Sequence, residues 1–336
     1  MSFTIGIRRE DKNEWERRVP IVPEHVEDLL EKHDINTVIQ PSDIRAFSNN
    51  DYIKSGALIN EDISSSNAIF AVKEIPIDLF KPGKTYVFFA HVVKGQEYNM
   101  PMLRKMMKLD CNLIDYEKIA DDKGRRLVFF GHYAGLAGMF DTLWAFGRRM
   151  KHKLINTPFS DIKQAISYKD LDDIKEHLEL IGERIKKFGL PDNICPVVVG
   201  FAGYGNVSKG AQEILDILPV KEITPEQLKS INEDYSNKVI YKVVFKEKDI
   251  VEPISPETDF DLQEYYSKPE LYKPIFEQYL PHLTILMNCI YWEKRYPRLL
   301  TKEYIEKNFK QMRLEIIGDI SVDVNGAIEI TEKTTD

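Results

Sequence analysis

The stretch PVVVGFAGYGNVSKGAQEILDIL, residues 196–218, joins a short apolar run to a glycine turn and then to a pattern with helical spacing. A strand that leads through G-x-G-x-x-S into a helix is typical of dinucleotide-binding domains. One glycine permits the tight turn, the next lets the backbone approach a pyrophosphate, and the third small residue lets helix and strand pack closely. Gly203, Gly205 and Ser208 stand at these positions. The stretch therefore predicts a dinucleotide site with phosphate at the helix N-terminus.

The strand after this helix bears on the choice of dinucleotide. In NAD-dependent enzymes an acidic residue at the end of the next strand, about 20 residues on, binds the ribose hydroxyls. The candidate strand VKEIT ends at Thr224 and is followed by Pro225 and Glu226. Because no carboxylate stands at the strand end, the sequence favours NADP. NAD remains an alternative, because no arginine is obviously placed to bind the 2′-phosphate of NADP and only Lys229 is nearby.

Outward from this stretch, apolar segments alternate with helical patterns. The runs NAIFAVK and KTYVFFAH lack period-two alternation, which is typical of parallel strands buried on both faces. The alternation predicts an α/β protein with two Rossmann-like, doubly wound domains and a cleft between them. The predicted segments are a substrate-binding and catalytic domain over 1–133, bridging helices over 134–195, a dinucleotide-binding domain over 196–316 with an insertion around 230–280, and a segment over 317–336 that crosses back towards the first domain.

Two apolar runs of the first domain end near ionisable residues. NAIFAVK ends at Lys73, and KTYVFFAH ends at His91. Ligands of open parallel sheets bind outside the carboxyl ends of the strands, so both side chains can reach one crevice. Histidine titrates near neutral pH, and a lysine that is partly desolvated beside another cation can have its pKa lowered towards that range. Against the alternative of a surface lysine and a structural histidine, these positions favour an acid–base pair.

Other charged residues of the first domain are candidates for holding a substrate. Glu74 and Glu117 could hold an ammonium group or tune the pKa of Lys73. Cations could bind carboxylates, which arginine does bidentately, although a surface charge is the commoner role for any single one. The candidate cations are Arg18, Lys94, Arg125 and Arg126.

Composition and charge exclude several classes of protein. The 336 residues carry a formal net charge of −8 with no basic tract interleaved with aromatic residues, so we expect no nucleic-acid partner. No apolar run reaches the roughly 18 residues of a membrane span, and the start MSFTIGIRRE lacks the apolar region of a signal peptide. We expect a soluble, cytoplasmic protein, with a processed form in the mitochondrial matrix as the alternative. The cysteines Cys111, Cys195 and Cys289 form no CxxC pair, which predicts neither a disulfide framework nor a metal site.

Six segments of the chain resemble the lysine-ketoglutarate reductase family, the reductase half of the bifunctional lysine-degrading synthases. They are AVKEIP, FFAHVVKGQEYNM, LIDYEKIADDKGRRLVFFGHYAGLAGM, GYGNVSKGAQEI, NCIYWEKRYPRLLT and GDISVDVNGAIEI, in this order. More distantly, the chain is similar to fungal saccharopine dehydrogenase and to the alanine dehydrogenase group. The resemblance implies an oxidoreductase that forms saccharopine reversibly from L-lysine and 2-oxoglutarate, by imine formation and hydride transfer from NADPH.

The resemblance also implies roles for particular residues. Lys73 and His91 match the family's acid–base pair. The substrate-binding residues that it implies are Arg18, Glu74, Lys94, Glu117, Arg126 and Asp319. The cofactor-binding residues that it implies are Gly203, Gly205, Asn206, Val207, Ser208, Thr224, Asn288, Ile290, Tyr291, Gly318, Asp319 and Ser321. Saccharopine carries three carboxylates, which suits the clustered cations of an acidic protein.

Two other functions stay open at this point. One is an NAD-dependent, lysine-forming saccharopine dehydrogenase of lysine biosynthesis, which a carboxylate on the ribose hydroxyls would favour. The other is a non-catalytic regulator that binds a dinucleotide. The resemblance further implies a strand and a helix beyond Asp336 that complete the first domain, and a saccharopine-cleaving dehydrogenase as a fused or separate partner. A homo-oligomer is also open.

Overall fold

The structure is a computed structural model that describes residues 3–93, 95 and 97–333. The chain divides into two compact units, Met1–Phe129 and Phe130–Asp336. Each unit contains its own parallel sheet, so the α/β prediction is confirmed. The finer division into four segments stays a prediction. Among the described residues, no helix combines the length and the apolar character that crossing a membrane requires.

The first unit is built on six parallel strands in the order β3-β2-β1-β4-β5-β6. This is the strand order of a Rossmann sheet. The strands are β1 (Phe3–Ile7), β2 (Ile35–Ile39), β3 (Leu58–Ile59), β4 (Ala68–Phe70), β5 (Thr85–Phe88) and β6 (Asn112–Asp115). The helices are α1 (Pro23–His33), α2 (Asn49–Lys54) and α3 (Met100–Lys108), with short 3-10 helices at Ile77–Leu79, Glu97–Asn99 and Tyr116–Lys118.

The second unit is built on five parallel strands in the order β13-β12-β7-β9-β8. The five are β7 (Val198–Ala202), β8 (Val220–Glu222), β9 (Ile240–Phe245), β12 (Ile285–Asn288) and β13 (Ile316–Asp319), and β10 (Val251–Pro253) pairs with β11 (Tyr272–Pro274) in an antiparallel ribbon. The helices are α4 (Gly131–His152), α5 (Leu171–Phe188), α6 (Asn206–Leu215), α7 (Pro225–Leu228), α8 (Glu247–Ile250), α9 (Leu262–Ser267) and α10 (Lys302–Asn308). The 3-10 helices are Pro158–Asp161, Ala165–Ser167, Asp192–Ile194, Pro269–Leu271 and Phe276–His282.

The position of β7 between two hydrophobic cores explains why its sequence is continuously apolar. All five of its residues are buried, because the sheet is covered on both faces. Val199 and Phe201 pack with α4, α5 and α6 on one face. Val198 and Ala202 pack on the other face with residues of the tyrosine-rich region between β9 and β12. Alternate side chains of a strand point to opposite faces, so two cores require apolar residues at every position.

The strand order differs from the one assumed for the cofactor argument. β7 lies between β12 and β9, and it pairs with β9 in the register Ala202 to Phe245. β8 pairs only with β9, at the sheet edge. The strand predicted as VKEIT also ends earlier, at Glu222 rather than Thr224. The assumption that the next strand in the sequence is the neighbouring strand in the sheet is therefore wrong.

Helices α4 and α6 cross at two glycines. A Cβ atom on Gly135 would lie 2.0 Å from the carbonyl oxygen of Val207, and one on Gly210 would lie 2.0 Å from that of His132. These distances are far below any van der Waals contact, so only glycine allows the two backbones to meet. The contact holds α6, the helix after the glycine turn, in place against α4.

We expect Gly210→Ala to lower the free energy of unfolding by about 3 kcal/mol, since the added methyl forces the two helix backbones apart. Urea unfolding followed by far-ultraviolet circular dichroism measures the change. Gly182→Ala in α5 is the matched control, because its Cβ would meet the nearest atom, Cδ of Pro219, at 3.4 Å. This control should be neutral or stabilise by up to about 1 kcal/mol, the difference in helix propensity. Equal unfolding midpoints for the two variants would contradict the packing described here.

Candidate functional site

The carboxyl ends of three neighbouring strands of the first unit bring together the residues of the predicted acid–base site. Strands β1, β4 and β5 are parallel, so their ends lie at the same edge of the sheet. Glu10 follows β1, Lys73 and Glu74 follow β4, and His91 follows β5. Hydrogen bonds between side chains and backbone link the three loops that follow β1, β4 and β5.

Glu74 is the centre of this network. Its Oε1 lies 2.8 Å from Nδ1 of His91, and its Oε2 lies 2.7 Å from Nζ of Lys12. Burial acts to raise the pKa of this carboxyl, but the hydrogen bonds from Lys12 and His91 outweigh it and lower the pKa to about 2. The carboxylate is therefore ionised at neutral pH. It orients the imidazole so that Nδ1 donates to Glu74 and Nε2 is left to exchange a proton.

The backbone around His91 is held in an unusual conformation. The φ angle of His91 is +49°, in the left-handed region that non-glycine residues seldom adopt. Its ring stacks on Phe89 with 6.1 Å between centroids, and Nδ2 of Asn99 donates to the carbonyl oxygen of Ala90 at 2.9 Å. Such strain persists only where surrounding contacts impose it, and it concentrates at functional sites. The conformation supports a functional role for His91.

Glu10 positions the backbone of the lysine loop. Its two carboxylate oxygens accept hydrogen bonds from the backbone N–H groups of Val72, at 2.6 Å, and Lys73, at 3.0 Å. Glu10 is buried, and this burial raises the pKa of its carboxyl despite the two hydrogen bonds. The loop that carries Lys73 is thus tied to the end of β1.

Arg18 lies in an ion pair with Glu16. Its Nε and Nη2 donate to the two oxygens of Glu16 at 2.8 and 2.6 Å. For Arg18, the bidentate hydrogen bond to Glu16 outweighs desolvation and raises the pKa. For Glu16, burial acts to raise the pKa, but the hydrogen bonds and the charge of Arg18 outweigh it, so the pKa is lowered. The positive charge of Lys73 also contributes to the lowered pKa of Glu16.

Three charged residues of this region were not predicted from the sequence: Glu10, Lys12 and Glu16. All three belong to the charged loop REDKNEWERR that follows β1. The rule that selected Lys73 and His91, charged residues beyond the carboxyl end of a parallel strand, applies equally to this loop. The signal was therefore present in the sequence.

The remaining predicted residues of the first unit lie beyond β6 or outside the described residues. Glu117 and Arg126 form an ion pair of 3.6 Å with each other. Arg125 pairs with Asp121 at 2.7 Å. Tyr116, next to Glu117, packs edge-on against Phe89 with 5.0 Å between centroids, which connects this region to the histidine loop. Lys94 lies outside the described residues.

The lowered pKa of Glu74 predicts a pH-dependent stability. Because the folded pKa of about 2 lies below the ordinary value of 4.5, the carboxylate stabilises the fold above about pH 4.5, and this contribution is lost as the pH falls towards 2. The shift corresponds to at most about 3 kcal/mol. We expect Glu74→Gln to lower the free energy of unfolding by about 1–3 kcal/mol at pH 7, and the difference from wild type to shrink below pH 4.5.

Urea unfolding at several pH values tests this prediction. Glu61→Gln is the control, since Glu61 pairs with Arg9 at the surface and its side chain is 61% exposed. Removal of such a pair costs less than about 1 kcal/mol. A difference between Glu74→Gln and wild type that stays constant from pH 7 to pH 3 would show that Glu74 has an ordinary pKa.

The second predicted site lies at the carboxyl edge of the second sheet. Strands β7, β9, β12 and β13 are parallel and end in register, with Ala202 opposite both Phe245 and Asn288, and Asn288 opposite Asp319. Gly203 follows β7 with φ +95°, and a Cβ there would lie 3.2 Å from the carbonyl oxygen of Cys289. Glycine is required at this turn for both its conformation and its close contact.

A cavity of about 380 Å³ opens beside this turn. Its walls include Gly203, Gly205, Glu247 and Ile290. The tyrosines that line it are Tyr204, Tyr265, Tyr266, Tyr291 and Tyr296. It extends along the ends of β7, β9 and β12, and its aromatic walls with a few polar groups are typical of a ligand site.

The residues after the turn suit a phosphate group. A Cβ on Gly205 would meet no atom within 4 Å, so this face of the backbone is open. Helix α6 begins at Asn206 without a side-chain cap, which leaves its first N–H groups available to an anion. Val207 packs against Gly135 of α4, and the buried Ser208 accepts a hydrogen bond from Gln212 at 2.9 Å. The third position of the turn thus holds a small, buried side chain.

Asp319 links the ends of β12 and β13. Its carboxylate accepts hydrogen bonds from Nδ2 of Asn288 at 2.8 Å and from Oγ1 of Thr331 at 2.6 Å. Ser321 donates to the carbonyl oxygen of Ile290 at 2.6 Å. Through these bonds, the predicted residues of β12 and β13 form one cluster at the edge of the sheet.

Of three further predicted cofactor residues, one lines the cavity and two do not. Gly318 packs against Thr142 and Met287. Tyr291 is mostly exposed and donates to Glu293 at 2.6 Å, while its ring lines the cavity. Thr224 is the N-cap of α7 and is absent from the cavity wall.

The site fits a nicotinamide dinucleotide better than a metal ion. The glycine turn, the uncapped α6 N-terminus and the open face of Gly205 are the features that a pyrophosphate needs. Among the described residues, no group of three or more His, Cys, Asp or Glu side chains could hold a metal ion.

The two parallel sheets and the glycine turn define the chain as a Rossmann-type α/β protein. Residues 6–137 match the model of the alanine dehydrogenase/PNT N-terminal domain family. Over an alignment of 347 residues, the chain is 36% identical to alpha-aminoadipic semialdehyde synthase, mitochondrial, of Bos taurus, with 98% of this chain and 37% of that protein covered. The chain is thus similar to this synthase over nearly its own full length and spans little more than a third of the length of the synthase. The family resemblance predicted from the sequence is confirmed.

Two further similarities are weaker. A saccharopine dehydrogenase (NAD(+), L-lysine-forming) of Candida glabrata is 34% identical over 161 residues, which cover 46% of this chain and 42% of that enzyme. A solved L-alanine dehydrogenase has 18% sequence identity and a TM-score of 0.58, with 99% of this chain and 78% of that chain covered. The latter shows a shared fold.

Proposed function

We propose that the chain is an oxidoreductase that forms saccharopine reversibly from L-lysine and 2-oxoglutarate. The observation that carries the proposal is the arrangement of Glu74, His91 and Lys73 at the ends of β4 and β5. Proton transfers at nitrogen and oxygen are the steps that imine formation requires, and an oriented histidine near a lysine can perform them. The homology to the bovine synthase supports the same reaction.

The residues of the first unit have distinct proposed roles. Nε2 of His91 exchanges protons with the reacting amine or with the departing water, while Glu74 and Lys12 hold the ring in the required orientation. Lys73 is the second acid–base group, and Glu10 fixes its backbone. The residues proposed to hold the carboxylates and the ammonium group of the substrates are Arg18, Lys94, Glu117 and Arg126.

In the second unit, we propose a site for a nicotinamide dinucleotide, which supplies or accepts the hydride. Gly203, Gly205 and the first N–H groups of α6 hold its phosphates. The other residues proposed to line this site are Ser208, Asn288, Ile290, Tyr291, Gly318, Asp319 and Ser321. The prediction of NADP rested on Thr224 at the end of the neighbouring strand, and the strand order removes that basis. Both NADP and NAD therefore have to be compared.

The test is oxidation of reduced dinucleotide by the chain with lysine and 2-oxoglutarate, performed separately with NADPH and NADH. We expect turnover that requires both substrates and yields saccharopine, identified by mass spectrometry. Reactions that lack one substrate are the controls. Oxidation that proceeds without lysine, or dinucleotide binding without any turnover, would contradict the proposed reaction.

The NAD-dependent, lysine-forming enzyme is the second candidate. Glu247 at the end of β9 favours it, since a carboxylate at this place is typical of NAD sites. A saccharopine-cleaving dehydrogenase, fused or separate, is the proposed partner, because it would consume the product. A homo-oligomer and a cytoplasmic or mitochondrial location stay predictions.

A further inference from the structure

The strand order assigns a different residue to the ribose position of the dinucleotide site. In Rossmann sheets, the group that contacts the ribose stands at the end of the strand beside the glycine-turn strand. β7 has β12 on one side and β9 on the other, and β9 lies on the side to which the chain crosses through α6 to reach β8. The last residue of β9, Phe245, is opposite Ala202. Glu247 stands two residues further on and is the first residue of α8. It therefore occupies the place of the ribose-binding carboxylate of NAD-dependent enzymes, a position that the sequence predicted at the end of β8.

The side chain of Glu247 lies in the cavity beside the glycine turn. It lines the same wall as Gly203 and Gly205. Its Oε1 accepts a hydrogen bond from Tyr266 at 2.5 Å and lies 3.5 Å from the hydroxyl of Tyr204. Both tyrosines also line the cavity. These bonds hold the carboxylate at the cavity wall, and its other oxygen makes no hydrogen bond within the described part of the chain.

Two lysines flank Glu247 and have to be weighed against it, because a cation at this place could bind a 2′-phosphate. Lys246 and Lys248 are both exposed, and neither belongs to the cavity wall. Nζ of Lys246 lies over the ring of Tyr204, 6.0 Å from its centroid. The charged group that faces the cavity is therefore the carboxylate.

We propose that Glu247 binds the hydroxyls of the adenine ribose and so makes the chain prefer NAD(H) over NADP(H). This inference rests on the proposed dinucleotide site. An ionised carboxylate accepts hydrogen bonds from both ribose hydroxyls. With NADP(H), the same carboxylate would face a phosphate, and like charges placed together disfavour binding strongly.

The test is fluorescence titration of the full chain with NADH and with NADPH. We expect wild type to bind NADH at least about tenfold more tightly. Glu247→Gln should reduce the ratio of the two affinities by about tenfold or more, through weaker NADH binding and stronger NADPH binding. Glu226→Gln, at the exposed carboxylate after β8, is the matched control and should keep the wild-type ratio. Lys246→Met should also keep it, and thermal melting checks that each variant is folded.

The outcomes separate this inference from the proposed function. Tighter binding of NADPH by wild type, or an unchanged ratio in a folded Glu247→Gln, would overturn the role of Glu247 and leave the dinucleotide site intact. A ratio that changes in Lys246→Met and not in Glu247→Gln would also overturn it. Failure of wild type to bind either dinucleotide would overturn both the proposed site and the inference.

Discussion

Replacement of His91 by alanine is expected to lower kcat for the reaction of lysine with 2-oxoglutarate by about 10²- to 10⁴-fold, the usual contribution of a general acid–base group. The reason is geometric. Glu74 binds Nδ1 at 2.8 Å and thereby leaves Nε2 to transfer protons, and alanine offers no group at that place. Initial rates of dinucleotide oxidation at saturating substrates measure the effect. Dinucleotide binding, measured separately by fluorescence, should stay at the wild-type level.

His25→Ala is the matched control for this substitution. His25 lies in α1 of the same unit and is exposed, so its removal should leave kcat unchanged. A His91→Ala variant that is folded and retains kcat within about threefold of wild type would show that His91 is not an acid–base catalyst. In that case its left-handed backbone and its bond to Glu74 would be features of the fold alone.

Gly205→Val is expected to weaken dinucleotide binding by about 10- to 100-fold without loss of stability. A Cβ at this position meets no atom within 4 Å, so the free chain has open space where the side chain would begin. The same space is where a pyrophosphate would approach the backbone, so the valine methyls would occupy the ligand's place. Overpacking of this kind costs about 1–3 kcal/mol. Fluorescence titration measures binding, and thermal melting measures stability.

Two comparisons make this second prediction specific. Gly182→Ala in α5 lies away from the cavity wall and should bind the dinucleotide as wild type does. The His91→Ala variant should also bind normally. Unchanged binding in Gly205→Val would show that the open face of the glycine turn is not the phosphate site. A large fall in melting temperature would instead show that the space beside Gly205 is filled by the protein.

Local sequence rules were sufficient to predict the strand ends that carry Lys73 and His91. Each follows a short, continuously apolar run, and such runs mark strands buried on both faces. The partner of His91 could not be deduced in the same way. Glu74 adjoins Lys73 in the sequence and was expected to tune it, whereas the structure directs its carboxylate to His91 and Lys12. Side-chain pairing depends on the relative positions of three loops, which no local pattern encodes.

The ribose position shows the same limit more clearly. Sequence order suggested β8 as the neighbour of β7, and hence Thr224 as the residue near the ribose. The sheet places β9 there and brings Glu247 to the cavity wall. Strand order within a sheet is a result of long-range packing, and two strands with similar apolar patterns can exchange places without any local sign.

The sequence by itself determined the alternation of helices and strands, the glycine turn, the ionisable strand ends and the family to which the chain is related. Residue type and spacing are enough to predict these features, because backbone conformation and the periodicity of burial depend on residues close together in the sequence. The tertiary structure alone decided the strand order β13-β12-β7-β9-β8, the hydrogen bond between Glu74 and His91, and the hydrogen bond from the backbone N–H of Lys73 to Glu10. Each of these joins residues far apart in the chain, and only the packing of whole strands and loops brings such residues within hydrogen-bond distance.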